Sequence, residues 1–216
     1  MSIDEARTMQ IDLVADMVCP WCYVGWERLK AALALRPDLK ANVVWRPFQL
    51  DPTLPEHGVD RRAYMMGKFP DAERRKTIQA ALTEAAAEDG IVLNLDRIER
   101  SPNTLAAHRL IRWSQAAGCQ DQVVEGLFRA YFTDGRDIGD PVVLADIAAE
   151  AGMDRLAVLD DLSRGTDAET VSGEHQTAVR AGVTGVPFMI FDQKYSVVGA
   201  ETPVKLLRVI DHTLES

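Results

Sequence analysis

Cysteine is scarce in this chain, with three in 216 residues. That is too few for a disulfide framework and fits a reducing compartment, where a cysteine pair is more often catalytic or sensing than structural. An excess of base is missing as well. The formal net charge of −9 leaves no basic surface for phosphate backbones or anionic lipids, so neither nucleic acid nor membrane is expected as a partner. No apolar run approaches the length of a membrane span. Met1-Ser2-Ile3-Asp4-Glu5-Ala6-Arg7 has no apolar h-region and carries acids where a signal peptide carries bases. Together these absences predict a cytoplasmic protein. There is no repeat period, no linker rich in Gly, Pro or Ser, no phosphate loop, no Ser-His-Asp pattern and no cluster with metal-ligand spacing. What remains is an ordinary globular composition, 47% hydrophobic and 26% charged, long enough for one good-sized core or one domain carrying an insertion.

Two of the three cysteines stand together. In Ile11-Asp12-Leu13-Val14-Ala15-Asp16-Met17-Val18-Cys19-Pro20-Trp21-Cys22-Tyr23-Val24-Gly25-Trp26, Ile11, Leu13 and Ala15 alternate as a buried strand requires, and the alternation stops just before the pair. A strand therefore feeds a helix through the cysteines. Cys19 falls at or beside the helix N-terminus, where unpaired N–H groups and the macrodipole favour an anion such as a thiolate. Pro20 suits the first helical turn. Cys22 follows one turn later, close enough for one cysteine to attack a disulfide and the other to resolve the mixed intermediate. Zinc would need two further ligands at metal spacing, and a structural disulfide closing so small a loop would stabilise little.

From the pair the helix runs to about Leu35, and Asn42 to Phe48 forms a second strand, completing a β-α-β unit with a parallel strand pair. From Arg61 to about Gly182 the pattern is alanine-rich and helical. Helices are expected at about 71–89, with Ile78, Leu82 and Ala85 inward, from near Asn103 to Gly118, at about 120–132, from Asp140-Pro141, at about 155–162 and at about 168–181. Strands return at Val186–Phe191 and Tyr195–Gly199 around Asp192-Gln193-Lys194, an antiparallel hairpin. Thr202-Pro203 caps a last helix whose buried side is read as Val204, Leu207, Val209 and Ile210. Acidic runs such as Glu84–Asp89 and Asp160-Asp161 read as solvated helix faces.

Gly182-Val183-Thr184-Gly185-Val186-Pro187-Phe188 is the second informative stretch. Proline cannot donate to a sheet ladder, so Pro187 is either at a cis turn, leaving the Val186 backbone to pair with an extended peptide, or trans at an edge. Composition and spacing leave those two open. The Cys-Pro-Trp-Cys motif after the first strand, the Gly-Val-Thr-Gly-Val-Pro loop before a hairpin, the helical insert between them, and the stretch Ser101 to Arg109 together resemble the thioredoxin superfamily. The closer resemblance, over about residues 9–214, is to the DsbA-like thioredoxin domain family, FrnE-type branch.

The resemblance implies an α/β thioredoxin fold, β-α-β then β-β-α around a central mixed sheet, with an inserted all-helical subdomain. The core would comprise residues 9–60 and 183–214, and the insert 61–182. It implies Cys19 as nucleophile, Cys22 as resolving thiol and Pro187 as a cis proline facing them. Pro20, Trp21 and Val186 would be supporting residues, and Asn103, His108 and Phe188 would line a substrate groove under the helical lid. The activity implied is thiol–disulfide exchange on a protein or small-molecule disulfide or dithiol, with no metal and no resident cofactor, glutathione serving at most as co-substrate. Two departures stand out. Trp21 occupies a place where strongly oxidising members carry histidine, and Leu13 stands where thioredoxin-like proteins often bury an acid, with Asp12 and Asp16 nearby on other phases of the strand. The competing reading is a glutathione-dependent isomerase or transferase resembling hydroxychromene-carboxylate isomerase and kappa-class glutathione transferase, which typically carry serine at the first cysteine. A third is a chaperone-like module that needs neither thiol. Cys119 reads as a bystander.

Overall fold

The computed structural model describes residues 8–216. Met1 to Arg7, read above for signal-peptide features, lie outside the described residues. Strand β1 (Thr8–Ala15) is central. It runs parallel to β2 (Lys40–Pro47), with Ile11 opposite Val43 and Ala15 opposite Pro47. On its other side it pairs antiparallel with β5 (Phe188–Phe191), which pairs antiparallel with β6 (Tyr195–Val198), giving the order β2-β1-β5-β6. Parallel β1 and β2 require a crossover, supplied by helix α1 (Pro20–Ala34). The hairpin turns through Asp192 and Gln193, both at positive φ (46° and 57°). Asp192 Oδ1 accepts from the Gln10 N–H at 2.7 Å, which ties the turn to β1.

The expected alternation places Met9, Ile11, Leu13 and Ala15 in the main core with Trp26 and Leu29 of α1 and with Leu206 and Ile210 of the last helix, α9 (Pro203–Glu215). Val14 takes the other phase. It packs with Phe48, Val183 and Phe188 against Ala178 of α8 (Ala168–Arg180), so the sheet is covered on both faces. Burying each large aliphatic or aromatic side chain contributes about 1.5–3 kcal/mol.

Between β2 and β5 the chain forms α2 (Arg61–Lys68), α3 (Ala72–Glu88), α4 (Leu105–Ala116), α5 (Gln120–Phe128), α6 (Pro141–Glu150), α7 (Arg155–Ser163) and α8. A two-residue ribbon, β3 (Val59–Asp60) with β4 (Arg100–Ser101), closes the stretch around α2 and α3. Asp71, Asp140 and Asp154 each cap the helix that follows through a side-chain oxygen. The buried cluster continues from the sheet into the insert through Phe128, Tyr131, Phe132 and Leu144 without a break.

Four sequence readings change. The helix expected over 120–132 is α only to Phe128, and Arg129–Thr133 is a π-turn that brings Tyr131 and Phe132 into the core. Helix α3 buries Leu82 and Ala86 while Ile78 is exposed, because it rests on α1 along one narrow line. The buried side of α9 is Leu206, Ile210, Thr213 and Leu214, with Val204 exposed. Asp89 is not a solvated acid: it accepts from the Nε of buried Arg28 at 2.6 Å, while Arg28 Nη1 donates to the Ala200 carbonyl at 2.8 Å. Arg28 thus pins the end of α3 and the loop before α9 to α1.

Candidate functional site

Cys19 is the N-cap of α1. It has extended backbone (φ −91°, ψ 110°) and Pro20 follows at the first helical position. The N–H groups of Cys22 and Tyr23 turn back onto its carbonyl at 3.0 and 3.4 Å, which closes the first turn and stacks the two sulfurs at the helix tip. Cys19 is 5% exposed and Cys22 fully buried, so the first thiol reaches the surface edge and the second lies beneath it.

The Val186–Pro187 peptide is cis, and the Cys19 thiol donates to the Val186 carbonyl at 3.6 Å. Pro187 leans on α1 at Gly25, where a Cβ atom would come within 2.9 Å of the prolyl Cγ. The residue of α1 that lacks a side chain, three positions after Cys22, is thus the one against which the proline packs. Burial pushes the Cys22 thiol well above its ordinary value. Its hydrogen bond to Cys19, the charge on Cys19 and the Asp16 carboxylate push the same way, while a hydrogen bond from the Asp16 backbone N–H pulls it back. Cys22 is therefore held as the protonated thiol.

Trp21 is half-buried. One side packs on the cluster of Val24, Leu82, Ala86 and Ile91 that joins α1 to α3. Trp26 is a core residue, edge-on to Trp45 at 5.2 Å. Cys119 is buried at the start of α5. Phe188 is half-buried among Val14, Phe48, Val183 and Val186.

Asn103 and His108 both grip the segment that follows β2. Asn103 Oδ1 accepts from Gln49 Nε2 at 2.9 Å and from the Leu105 N–H at 3.0 Å, and its Nδ2 donates to the Leu54 carbonyl at 2.7 Å. His108 is buried, with Nε2 3.1 Å from the Phe48 carbonyl. Since a carbonyl only accepts, Nε2 carries the proton. His175 Nδ1 accepts from the Gln49 N–H at 3.1 Å, and burial, helped by His108, holds His175 below its ordinary value.

Of the two acids near the Leu13 position, Asp12 is engaged by Arg46 at 2.6 Å. Asp16 instead points inward. Its Oδ2 accepts from the Leu50 N–H at 2.7 Å, and its Oδ1 lies 3.4 Å from His108 Nε2 with no hydrogen-bond partner. Sequence reasoning named Asp16 without giving it a role. The signal that could have found it is an acid placed just past the strand end and three residues before the first cysteine, where its backbone enters the same turn.

Among the described residues, no three His, Cys, Asp or Glu side chains gather as a metal would need, and no helix is long and apolar enough to cross a membrane. A surface-edge thiol at a helix tip, a second, buried thiol one turn on and a cis-prolyl loop against the first thiol come together at this end of the sheet. Residues 10–211 match the DSBA-like thioredoxin domain family, and the chain belongs to that family. It is 25% identical over 185 residues to the uncharacterized protein YwbO of Bacillus subtilis, a match covering 85% of this chain and 86% of that protein. It is similar to a probable DsbA oxidoreductase from Streptomyces coelicolor, with a TM-score of 0.85 at 28% identity over 96% of this chain and 91% of that one. The cytosolic disulfide reductase DsbM from Pseudomonas aeruginosa, solved with GSH, shares the fold at a TM-score of 0.68 and 16% identity, over 96% of this chain and all (100%) of that one.

Proposed function

We propose that this protein is a thiol–disulfide oxidoreductase in which Cys19 is the nucleophile and Cys22 the resolving thiol. The observation that carries the reading is the paired thiols one helical turn apart: one sulfur at the helix tip against the Val186 carbonyl, the other fully buried. In the reducing direction the Cys19 thiolate attacks a substrate disulfide. A Cys19–substrate S–S bond forms, the substrate S–S bond breaks, and the departing sulfur leaves with the electron pair and takes up a proton. Cys22, after losing its proton, attacks Cys19. The Cys19–Cys22 bond forms, the second substrate sulfur departs as thiolate, and the substrate has gained the two electrons the pair has lost. The reverse sequence oxidises a dithiol.

The substrate is a protein or small-molecule disulfide or dithiol, with an extended backbone lying against Val186 and the rim of Trp21. Glutathione is the co-substrate this reading favours, and its appearance with the similarly folded DsbM supports that choice. The scarcity of cysteine supports a cytosolic setting.

Equilibration of the protein with glutathione redox buffers tests the proposal. The Cys19–Cys22 disulfide should form and disappear reversibly with the poise, and Cys22→Ser should accumulate a Cys19–glutathione mixed disulfide detectable by mass. A Cys22→Ser protein with undiminished turnover of an isomerase or transferase substrate, beside a parent inert to disulfides, would assign the chain to the glutathione-dependent reading.

A further inference from the structure

The overall charge of −9 conceals a local reversal: residues 61–76 hold six lysines and arginines against two acids. Five of those cations, Arg61, Arg62, Lys68, Arg74 and Arg75, have no carboxylate within salt-bridge distance among the described residues, while Lys76 is paired with Glu73. Elsewhere most cations are paired, as Arg36 is with Asp38 and Arg129 with Glu150.

Helix stability does not account for this cluster. Arg61 and Arg62 open α2, and Arg74 stands in the first turn of α3, the end at which the macrodipole disfavours positive charge. Core packing does not account for it either. Helix α2 buries none of its side chains, and Met66, 54% exposed, shares an outward face with Arg62 one turn earlier. Eight residues are too few to hold a helix in water unaided. Asp60 caps it through the Ala63 N–H at 2.7 Å, and Tyr64 anchors it to the segment after β2.

Three ties bring this corner to the thiols. Lys68 Nζ donates to the Tyr64 hydroxyl at 3.0 Å, and that hydroxyl donates to Asp51 Oδ2 at 3.0 Å. Asp51 follows Leu50, whose N–H is held by Asp16, and the Asp16 carbonyl accepts the Cys19 N–H at 3.1 Å. Arg61 Nη1 donates at 3.0 Å to the hydroxyl of Tyr131, which lies within the field of Asp16. Arg75 shares a face of α3 with Leu82, seven residues on, and Leu82 packs in the cluster that carries Trp21.

Resting on the oxidoreductase reading, we propose that the corner of α2 and α3 is the docking surface for an acidic peptide segment of a protein substrate, the residues flanking the cysteine that is delivered to Cys19. Charge complementarity selects the acid. The extent of the patch selects a peptide: α2 alone is about 12 Å long, and the cations continue into α3. Met66 adds an adaptable apolar contact among them, and Met and Arg are the side chains that recur where proteins meet. On a chain otherwise acidic, the patch also draws such a segment to the one face that holds the thiols.

The test uses three synthetic peptides of equal length, each with one central cysteine beside a leucine, flanked by glutamates, by glutamines or by lysines, and each activated as its 2-pyridyl disulfide. Attack by the Cys19 thiolate breaks that disulfide and forms a Cys19–peptide bond. Pyridine-2-thiolate leaves with the electron pair, takes up a proton and is read by absorbance in stopped flow. At an ionic strength of about 0.01 M, where screening reaches only beyond about 30 Å, the glutamate peptide should react about tenfold faster than the glutamine peptide, with the lysine peptide slowest. The rates should converge at about 1 M salt, where the screening length is about 3 Å. Arg62→Glu combined with Arg74→Glu should abolish the preference; both side chains are exposed, and an acid in the first turn of a helix favours the fold. Lys40→Glu combined with Arg208→Glu removes the same charge at the start of β2 and on α9 and should keep the preference. Release from none of the peptides would overturn the oxidoreductase reading itself. With release present, a lysine peptide that reacts fastest, as net charge alone dictates, or a preference that survives Arg62→Glu with Arg74→Glu, would overturn the docking surface and leave the exchange chemistry standing. So would a 2-pyridyl disulfide of glutathione that matches the glutamate peptide, since a small dicarboxylate would then suffice.

Discussion

Replacing Gly25 by alanine tests whether the prolyl loop rests on helix α1. Gly25 lies inside α1, where alanine normally stabilises by about 1 kcal/mol over glycine. Here the added methyl would sit 2.9 Å from Pro187 Cγ and 3.4 Å from Met189 Cε. The first distance is well inside van der Waals contact, and a proline ring fixed in the chain has little freedom to yield. Overpacking of this kind costs about 1–3 kcal/mol, so the net effect is a loss of up to about 2 kcal/mol. Gly173 in α8 is the matched control, since a Cβ there meets nothing within 4 Å and Gly173→Ala should realise the full helical gain. The difference between the two variants therefore isolates the contact at about 1–3 kcal/mol. It is read from urea unfolding midpoints at equal slope. Reduction of a model disulfide should fall in Gly25→Ala beyond what stability explains, because Val186 moves with Pro187 away from Cys19. Equal midpoints for the two variants, with activity intact, would refute the idea that α1 seats the loop.

Two further outcomes follow from buried polar groups. Arg28→Met should destabilise by about 3 kcal/mol, the cost of leaving a partner charge unpaired, and should speed proteolysis within α3, since Arg28 joins α1 to Asp89 and Ala200; limited proteolysis with urea titration measures both. His175 is held below its ordinary value chiefly by burial, next by His108, with Asp16 pulling the other way. The unfolded chain therefore binds its proton first, and the stability His175 supports is complete above about pH 6.5 and drains away as pH falls, by at most about 1.4 kcal/mol per pH unit. His175→Gln keeps an acceptor for the Gln49 N–H and should flatten that slope; superimposable slopes would count against it.

Local signals read well from the sequence because local physics decides them. The period-two run of β1, Pro20 at the first helical position and the Asp140-Pro141 cap each fix an element without help from distant residues. The same holds for Cys19 and Cys22, whose stacking follows from one turn of helix. What stayed hidden depends on contacts far apart in the chain. Asp16 gains its meaning only when Leu50, 34 residues on, returns to it and α4 delivers His108. The break of α5 into a π-turn was equally silent, because an apolar run at helical spacing looks the same whether one extra residue is looped in or not. Arg28 and Asp89 illustrate the limit from the other side. Asp89 reads as part of a solvated acidic face, and only the packing of α3 on α1 sets it against Arg28.

The residues Phe48, Gln49 and Leu50 are gripped in succession by His108, His175, Asn103 and Asp16, side chains drawn from four places along the chain. Such a joint has no single weak pin. Loosening any one grip leaves three others holding the strand's end in register, so gradual mutational drift is absorbed, whereas a new backbone path there would require several changes at once. The stretch just beyond β2 is in that sense locked by redundancy.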